Sequence, residues 1–524
     1  MLDLLITGGT VIDGTKKPRF AADVAIRSDR IEAVGHLGSA AARQTIDARG
    51  KIVAPGFIDV HNHSDGWLLK EKNFWPKTSQ GFTTEVLMSD GISYAPVDEL
   101  TWKHWHYYLR ALNGLLLSDY GGWRGLDEYL ARLDGATAQN VALEVPYANV
   151  RSLYAGWGRH APDDYQRRSI QAEIRRGMEA GAVGLSTGLD YVSQIFAGTD
   201  EIVDACCAIA PYGGLYVTHI RYKLGLMAAL NEAVEIGRQS GAKVHISHLK
   251  GFTKELVDQV LDWIDHYARK EVDFSFEVYP YQRGSTMLNF LLPYEVWEEG
   301  PLHALSRLHL PEVKARFREG LKCLGDDLGR IYIAWLGSRD NQRHIGQLAV
   351  DYAAELKLPI EEALINLLTE ENLAVLLVIH GQDDDLMRPM LQHDLMMLGS
   401  DGIYFPPPSR IHPRVYGSTG RILGPAVRDW KLFSLEDAVY KLAYWPAKRF
   451  GLADRGEIRQ GAYADLVVFD AATVADRATY EEPHQTCVGI EHVVVNGRLV
   501  VEASKPVTDF GPRAPGRGLK RQMG

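Results

Sequence analysis

Between about residues 55 and 445 the chain repeats one pattern, a short apolar run of strand type followed by an amphipathic stretch of helical period. The runs TTEVLMSD, NVALEVPYAN, AVGLSTGL, GLYVTHI, AKVHISHLK, VDFSFEVYPY, LAVLLVIHG and DLMMLGSDG read as strands. Stretches such as YQRRSIQAEIRRGMEAG and LGLMAALNEAVEIGRQSG read as the helices between them. About eight strand–helix units close into a barrel more readily than they spread into an open sheet. The expected fold class is therefore α/β, a TIM-like (β/α)8 barrel, and in that architecture chemistry sits at the carboxyl ends of the strands.

The two ends of the chain read differently. Residues 2 to 53 alternate short strands with Gly or Asp-Arg turns, and the pattern returns in ADLVVFD at 464 to 470 and in GIEHVVVNGRLVVEAS at 489 to 504, with an Asn496-Gly497 hairpin. Neither half has strands enough to bury both faces alone. One small β-sandwich built from 1–54 and 446–505 is expected, with the barrel, 55–445, inserted in it. Charged helical stretches at 284–345 read as an insertion over the barrel mouth. The Gly, Pro, Lys and Arg-rich residues 506–524 read as a C-terminal arm, and PPPSR at 406 to 410 as a stiff entrance loop. The aromatic run at 101 to 123 has the spacing of a core-covering helix.

Composition excludes some classes. A net charge of −10 argues against a nucleic-acid partner. No apolar run approaches the ~18 residues of a membrane helix, and the N-terminus lacks the basic lead of a signal peptide. The cysteines Cys206, Cys207, Cys323 and Cys487 have no metal-type spacing and make a poor disulfide framework. A cytoplasmic protein is expected, without membrane contact; a homo-oligomer is compatible with the sequence.

The stretch APGFIDVHNHSD at 54 to 65 places His61 and His63 just beyond an apolar strand. Side chains two apart on an extended chain point to one side, so both imidazoles can close on one cation. Further candidates end later strands: Asp90 after TTEVLMS, His219 after GLYVT, His248 after KVHIS and Asp401 after DLMMLGS. Any one alone reads as an ordinary loop or core residue, but together they supply four imidazoles and two carboxylates to one barrel mouth. That donor set suits Zn²⁺, as one or two ions or another divalent metal, which lowers the pKa of a bound water to about 7 and polarises a carbonyl. The chemistry is hydrolysis, with Asp401 the candidate to carry a proton from water to the leaving nitrogen.

APGFIDVHNH and the strand-end order His, His, Asp resemble the amidohydrolase superfamily. THIR at 218 to 221, ISHLK at 246 to 250, EVYPYQRGST at 277 to 286, GSDG at 399 to 402, HPRVYGS at 412 to 418 and RFGLADRGEIRQGAYADLVVFD at 449 to 470 resemble its N-acyl-D-amino-acid deacylase (D-aminoacylase) family. The resemblance implies one metal position at His61, His63 and Asp401 and a second at His219 and His248. It also implies a grip on the substrate carboxylate by Lys250, Tyr279 and Arg414; Arg221, two after His219, reads as a further polar contact. A cationic pair and a hydroxyl fix a carboxylate by charge-assisted bonds whatever the ancestry. Each of the three also has an ordinary reading, two solvated loop cations and one core aromatic.

Departures from the family pattern are informative. Asp90 stands where family members carry a metal-binding Cys, and a carboxylate can span two ions with its two oxygens; Asp90 also reads as a turn former before Gly91. Tyr222 and Lys223 replace an acidic pair after THIR, and Tyr147 falls where a His is common. The implied substrate is a small carboxylate-bearing amide, an N-acyl amino acid of D configuration. Two alternatives stand beside it. One is a cyclic-amide or dipeptide hydrolase of dihydroorotase, hydantoinase or isoaspartyl dipeptidase type, favoured by a bridging Asp90; the other is a catalytically silent relative acting as a scaffold or binding protein.

Overall fold

Eight short parallel strands form a ring in the computed structural model, which describes residues 1–38, 40–322, 324–381 and 384–522. In chain order they are Phe57–Asp59, Phe82–Leu87, Asn140–Leu143 with its continuation Val145–Pro146, Gly184–Gly188, Leu215–His219, Lys243–Ile246, Phe274–Val278 and Met396–Leu398. Neighbours pair in parallel around the ring. It closes where Asn62 bridges Gly402 and where the Asp401 N–H donates to the His61 carbonyl at 2.8 Å. Apart from Lys243, every residue of these strands is buried, as expected of a sheet covered on both faces.

The covering helices follow from local signals. Asp164–Ala180 starts at Asp163, whose carboxylate accepts from the Gln166 N–H at 2.8 Å while the Gln166 side chain accepts from the Asp163 N–H at 2.9 Å. Its buried residues, Ile170, Ile174, Gly177 and Met178, recur at three- and four-residue spacing, and it stops at Gly181 with φ 112°. Leu226–Ser240 buries Ala229, Leu230, Ala233, Val234, Ile236 and Gly237 by the same rule.

One expected barrel strand lies elsewhere. Within LAVLLVIHG, Val375–Ile379 is the middle strand of a three-stranded antiparallel sheet, between Ser285–Met287 and Ile331–Leu336. A continuous apolar run reads alike for a parallel barrel strand and a central antiparallel strand, so periodicity alone does not separate them. The material between the seventh and eighth barrel strands therefore runs past residue 345.

Both chain ends share one nine-stranded sheet. Its seam is Ile52–Pro55, parallel to Leu2–Val11 on one side and antiparallel to Leu466–Phe469 on the other. Asn496 and Gly497, both at positive φ, make the hairpin turn of Ile490–Val495 and Arg498–Glu502. The C-terminal arm lies along the start of the third and fourth barrel strands, with the Leu519 N–H donating to the Val141 carbonyl at 2.7 Å and the Arg521 N–H to the Gly181 carbonyl at 2.9 Å. Trp102, Trp105 and Tyr108 of Thr101–Leu109 are buried in the core. Cys206, Cys207 and Cys487 are free thiols, and Cys323 lies outside the described residues. Among the described residues no helix is long and apolar enough to cross a membrane.

Candidate metal centre and active site

His61, His63, Asp90, His219, His248 and Asp401 all reach the carboxyl-terminal mouth of the ring. His61 and His63 flank Asn62, whose amide turns the other way and donates to the Val86 carbonyl at 3.1 Å. Asp90, His248 and Asp401 sit at φ 61°, 34° and 48°, the left-handed region that costs a side-chain-bearing residue roughly 1–2 kcal/mol. Strain of this kind gathers where a chain must aim a side chain, here at the first turn beyond a strand.

The geometry defines two sets of ligand atoms that share one carboxylate. His61, His63 and Asp90 hold ligand atoms within 4.8 Å of one another, and so do Asp90, His219 and His248. Asp90 Oδ1 is 3.6 Å from His61 Nε2 and 3.6 Å from His248 Nε2, while its Oδ2 is 3.7 Å from His63 Nε2. Asp401 Oδ1 lies 3.3 Å from His63 Nε2 and 3.8 Å from His61 Nε2. Two buried atoms in the middle, His61 Nε2 and Asp90 Oδ1, have no hydrogen-bond partner among the described residues. Buried polar atoms are rarely left so, and imidazole and carboxylate donors converging on one point fit divalent metal ions.

Charge is arranged to match. Burial alone would raise the carboxyls, yet at Asp90 the His61 and His248 rings outweigh it and hold the group well below the ordinary carboxylate value. At Asp401 the Arg414 guanidinium, 2.8 Å from Oδ2, does the same together with His63. Glu277 accepts from His61 Nδ1 at 2.8 Å and also faces His245. Against its burial, the His245 and His61 rings bring the Glu277 carboxyl to about 2. Held this way, His61 keeps its proton on Nδ1 and turns Nε2 towards Asp90. A Cβ on Gly399 would stand 2.4 Å from Glu277 Cγ and 2.8 Å from His61 Cβ, so only glycine allows this packing.

Beside the metal-type cluster lies a buried cationic group of side chains. Arg414 and Lys250 both face the Tyr279 ring, at 4.4 and 3.6 Å from its centre, and Lys250 Nζ bonds the Tyr279 hydroxyl. Burial and the Arg414 charge push the Lys250 ammonium well below its usual value, a cost that an incoming anion relieves. Gly284 opens the space, since a Cβ there would come 2.7 Å from the Tyr279 hydroxyl and 3.2 Å from Arg414 Nη1.

Arg221 does not join this group. Its guanidinium faces Glu232 at 3.3 Å and donates to the carbonyls of Leu189, Ile195 and Ala197, so it ties loops together. Tyr147 is likewise turned into the core, where its hydroxyl bonds Glu201 at 2.5 Å. Tyr222 does approach, with its ring 5.1 Å from that of His219, and Tyr191 and Phe290 complete an aromatic wall at 4.8 and 6.0 Å from the same imidazole.

Sequence reasoning missed Glu277 and Asp190. The spacing of Glu277 and Tyr279, two apart on a strand that ends at the mouth, puts both on one face and carried a usable signal. Asp190, two residues past the fourth strand and 3.5 Å from His219 Nε2, sits at a strand end as Asp90 does.

Known proteins resemble this chain over nearly its whole length. A profile described as "Amidohydrolase family" matches residues 320–501. The chain is 34% identical to a D-aminoacylase of Alcaligenes xylosoxydans xylosoxydans, over 95% of this chain and 94% of that one. It is 35% identical to an N-acyl-D-glutamate deacylase of the same organism, over 99% and 97%. The crystal structure of N-acyl-D-glutamate deacylase from Bordetella bronchiseptica, complexed with zinc and a phosphonate inhibitor that mimics the tetrahedral intermediate, superposes with a TM-score of 0.84 at 34% identity, covering 99% of each chain.

Proposed function

The chain belongs to the D-aminoacylase family of amidohydrolases, and we propose that this metal-dependent hydrolase removes the acyl group from N-acyl-D-amino acids. The observation that carries the reading is the cationic pair set directly against the metal-type cluster: Arg414 Nη1 is 2.8 Å from Asp401, itself 3.3 Å from His63. An amide bond and a free carboxylate only a few atoms apart match those two neighbouring places.

His61, His63, Asp90, His219, His248 and Asp401 would hold the metal, Asp90 being common to both ligand sets. When bound, a divalent metal supplies a Lewis acid for the amide carbonyl and lowers the pKa of water beside it. Arg414, Lys250 and Tyr279 bind the substrate carboxylate and fix the amide over the cluster. Asp401 takes a proton from the attacking water as its oxygen bonds to the acyl carbon, then delivers that proton to the nitrogen as the carbon–nitrogen bond breaks. The products are a carboxylic acid and a free amino acid. The Tyr191, Tyr222 and Phe290 rings wall the site beside His219.

A screen of N-acetyl D- and L-amino acids, their carboxamide analogues and cyclic amides, with Zn²⁺ supplied, tests the reading. Hydrolysis of the D-amino acid derivatives is expected, with carboxamides slower by at least about 100-fold because the anion–cation contact, worth roughly 3 kcal/mol, is gone. Equal rates on acids and carboxamides, or activity on cyclic amides alone, would overturn it.

A further inference from the structure

A histidine that binds a metal offers one nitrogen to the ion, and the group facing its other nitrogen decides which one. His219 turns Nδ1 to His248 Nε2 at 3.1 Å. That separation is close to the ~3.3 Å edge of a tetrahedron with metal–nitrogen bonds of ~2.0 Å, so Nδ1 is the atom placed to share an ion with His248. Nε2 looks the opposite way, to Asp190 Oδ2 at 3.5 Å, and has no hydrogen bond among the described residues.

Asp190 is 3% exposed. Its Oδ1 accepts from the Tyr294 hydroxyl at 2.8 Å and its Oδ2 from the Lys223 backbone N–H at 3.4 Å. Tyr294 belongs to the segment between the seventh and eighth barrel strands. Among the described residues His219 is the one ion-pair partner of Asp190, while the Lys223 charge acts on the carboxylate from further off. The arrangement parallels His61, where Glu277 faces Nδ1 and leaves Nε2 for the cluster. Each of the two ligand sets thus contains one imidazole backed by a buried carboxylate.

We propose that Asp190 is a positioning residue of the metal centre: it holds His219 with its proton on Nε2 and its Nδ1 lone pair turned to the ion, while Tyr294 ties that carboxylate to the inserted segment. The inference rests on the assignment of His219 as a ligand in the proposed function.

The test is zinc affinity, measured on metal-stripped full-length protein by competition with a chromophoric chelator, for wild type, Asp190→Ala, Asp190→Asn and Tyr294→Phe. Asp190→Ala is expected to weaken one zinc position about 10–100-fold and leave the other unchanged, the usual loss when the partner of a ligand histidine is removed. Asp190→Asn keeps an acceptor for Nε2–H and should recover most of that affinity; it also serves if the alanine variant fails to fold. Tyr294→Phe should fall between wild type and Asp190→Ala. Wild-type affinity at both positions in Asp190→Ala, or in Asp190→Asn a loss equal to that of alanine, would overturn the proposal. Because the readout is metal binding, a protein that binds zinc but hydrolyses no N-acyl amino acid would sink the proposed function and leave this test intact.

Discussion

Asp401 is bound from both sides, with one oxygen against Arg414 and the other against His63, on a backbone held at φ 48°. The two contacts fix where its lone pairs point, which is what a proton carrier between water and a leaving nitrogen requires. Asp401→Asn keeps the shape and removes the base. Turnover should fall by at least about 10³-fold while zinc content drops only modestly, because Asp90 and the four histidines remain. Steady-state kinetics beside metal analysis of the same sample decides it, and a variant that still turns over within tenfold of wild type would take Asp401 out of this role. At this scale the sequence was most informative about residue type and least about direction. His61, His63, Asp90, His219, His248 and Asp401 announce themselves by standing just past apolar runs. Arg221 stands as close to His219 as Lys250 does to His248, yet its guanidinium turns to Glu232 and three carbonyls. Nothing in a two-residue spacing separates those outcomes, since the partners come from other loops.

Among the elements, the strands of the ring carry polar groups inward as well as apolar ones outward. Asp59, Lys77 and Ser400 form one buried cluster under the mouth, and Glu85 of the second strand bonds Gln139 at 2.9 Å. Burial raises the Glu85 carboxyl from 4.5 to about 7, with nearby Lys77 opposing and Asp59 assisting. Between those values the folded chain keeps a proton that the unfolded chain releases, so this group's contribution to stability falls as pH rises through the window. Glu85→Gln removes that slope. Unfolding in denaturant at pH 5 and pH 8 should show the variant gaining on wild type at the higher pH, by at most about 3 kcal/mol; a gap that does not change with pH would contradict the assignment. The polar interior also explains why the barrel strands were legible. Runs such as FSFEVYPY keep an apolar majority facing the helices while Glu277 and Tyr279 turn inward. LAVLLVIHG has a similar apolar majority but belongs to the inserted sheet, whose antiparallel partners lie about 40 and 90 residues earlier in the chain, beyond the reach of any local pattern.

For the whole molecule, the chain leaves one sheet, builds the ring, and returns to the same sheet, so Ile52–Pro55 and Leu466–Phe469 lock both ends together. The hairpin signal at Asn496-Gly497 and the strand–helix repeat made that plan readable. The course of the C-terminal arm was not, because its Gly- and Pro-rich composition fits a bound or a loose segment equally, and only the contacts with Val141 and Gly181 distinguish them. The architecture brings residues about 340 positions apart, His61 and Asp401, to 3.8 Å. Amide hydrolysis by this chain depends on that convergence holding metal. The most direct measurement is a zinc titration of the metal-stripped chain with N-acetyl-D-amino acid hydrolysis followed in the same samples. Activity that is absent without metal and rises as zinc occupies the His61, His63, Asp90, His219 and His248 cluster is the predicted result; hydrolysis indifferent to zinc, or zinc bound with no hydrolysis of any N-acyl-D-amino acid, would contradict it.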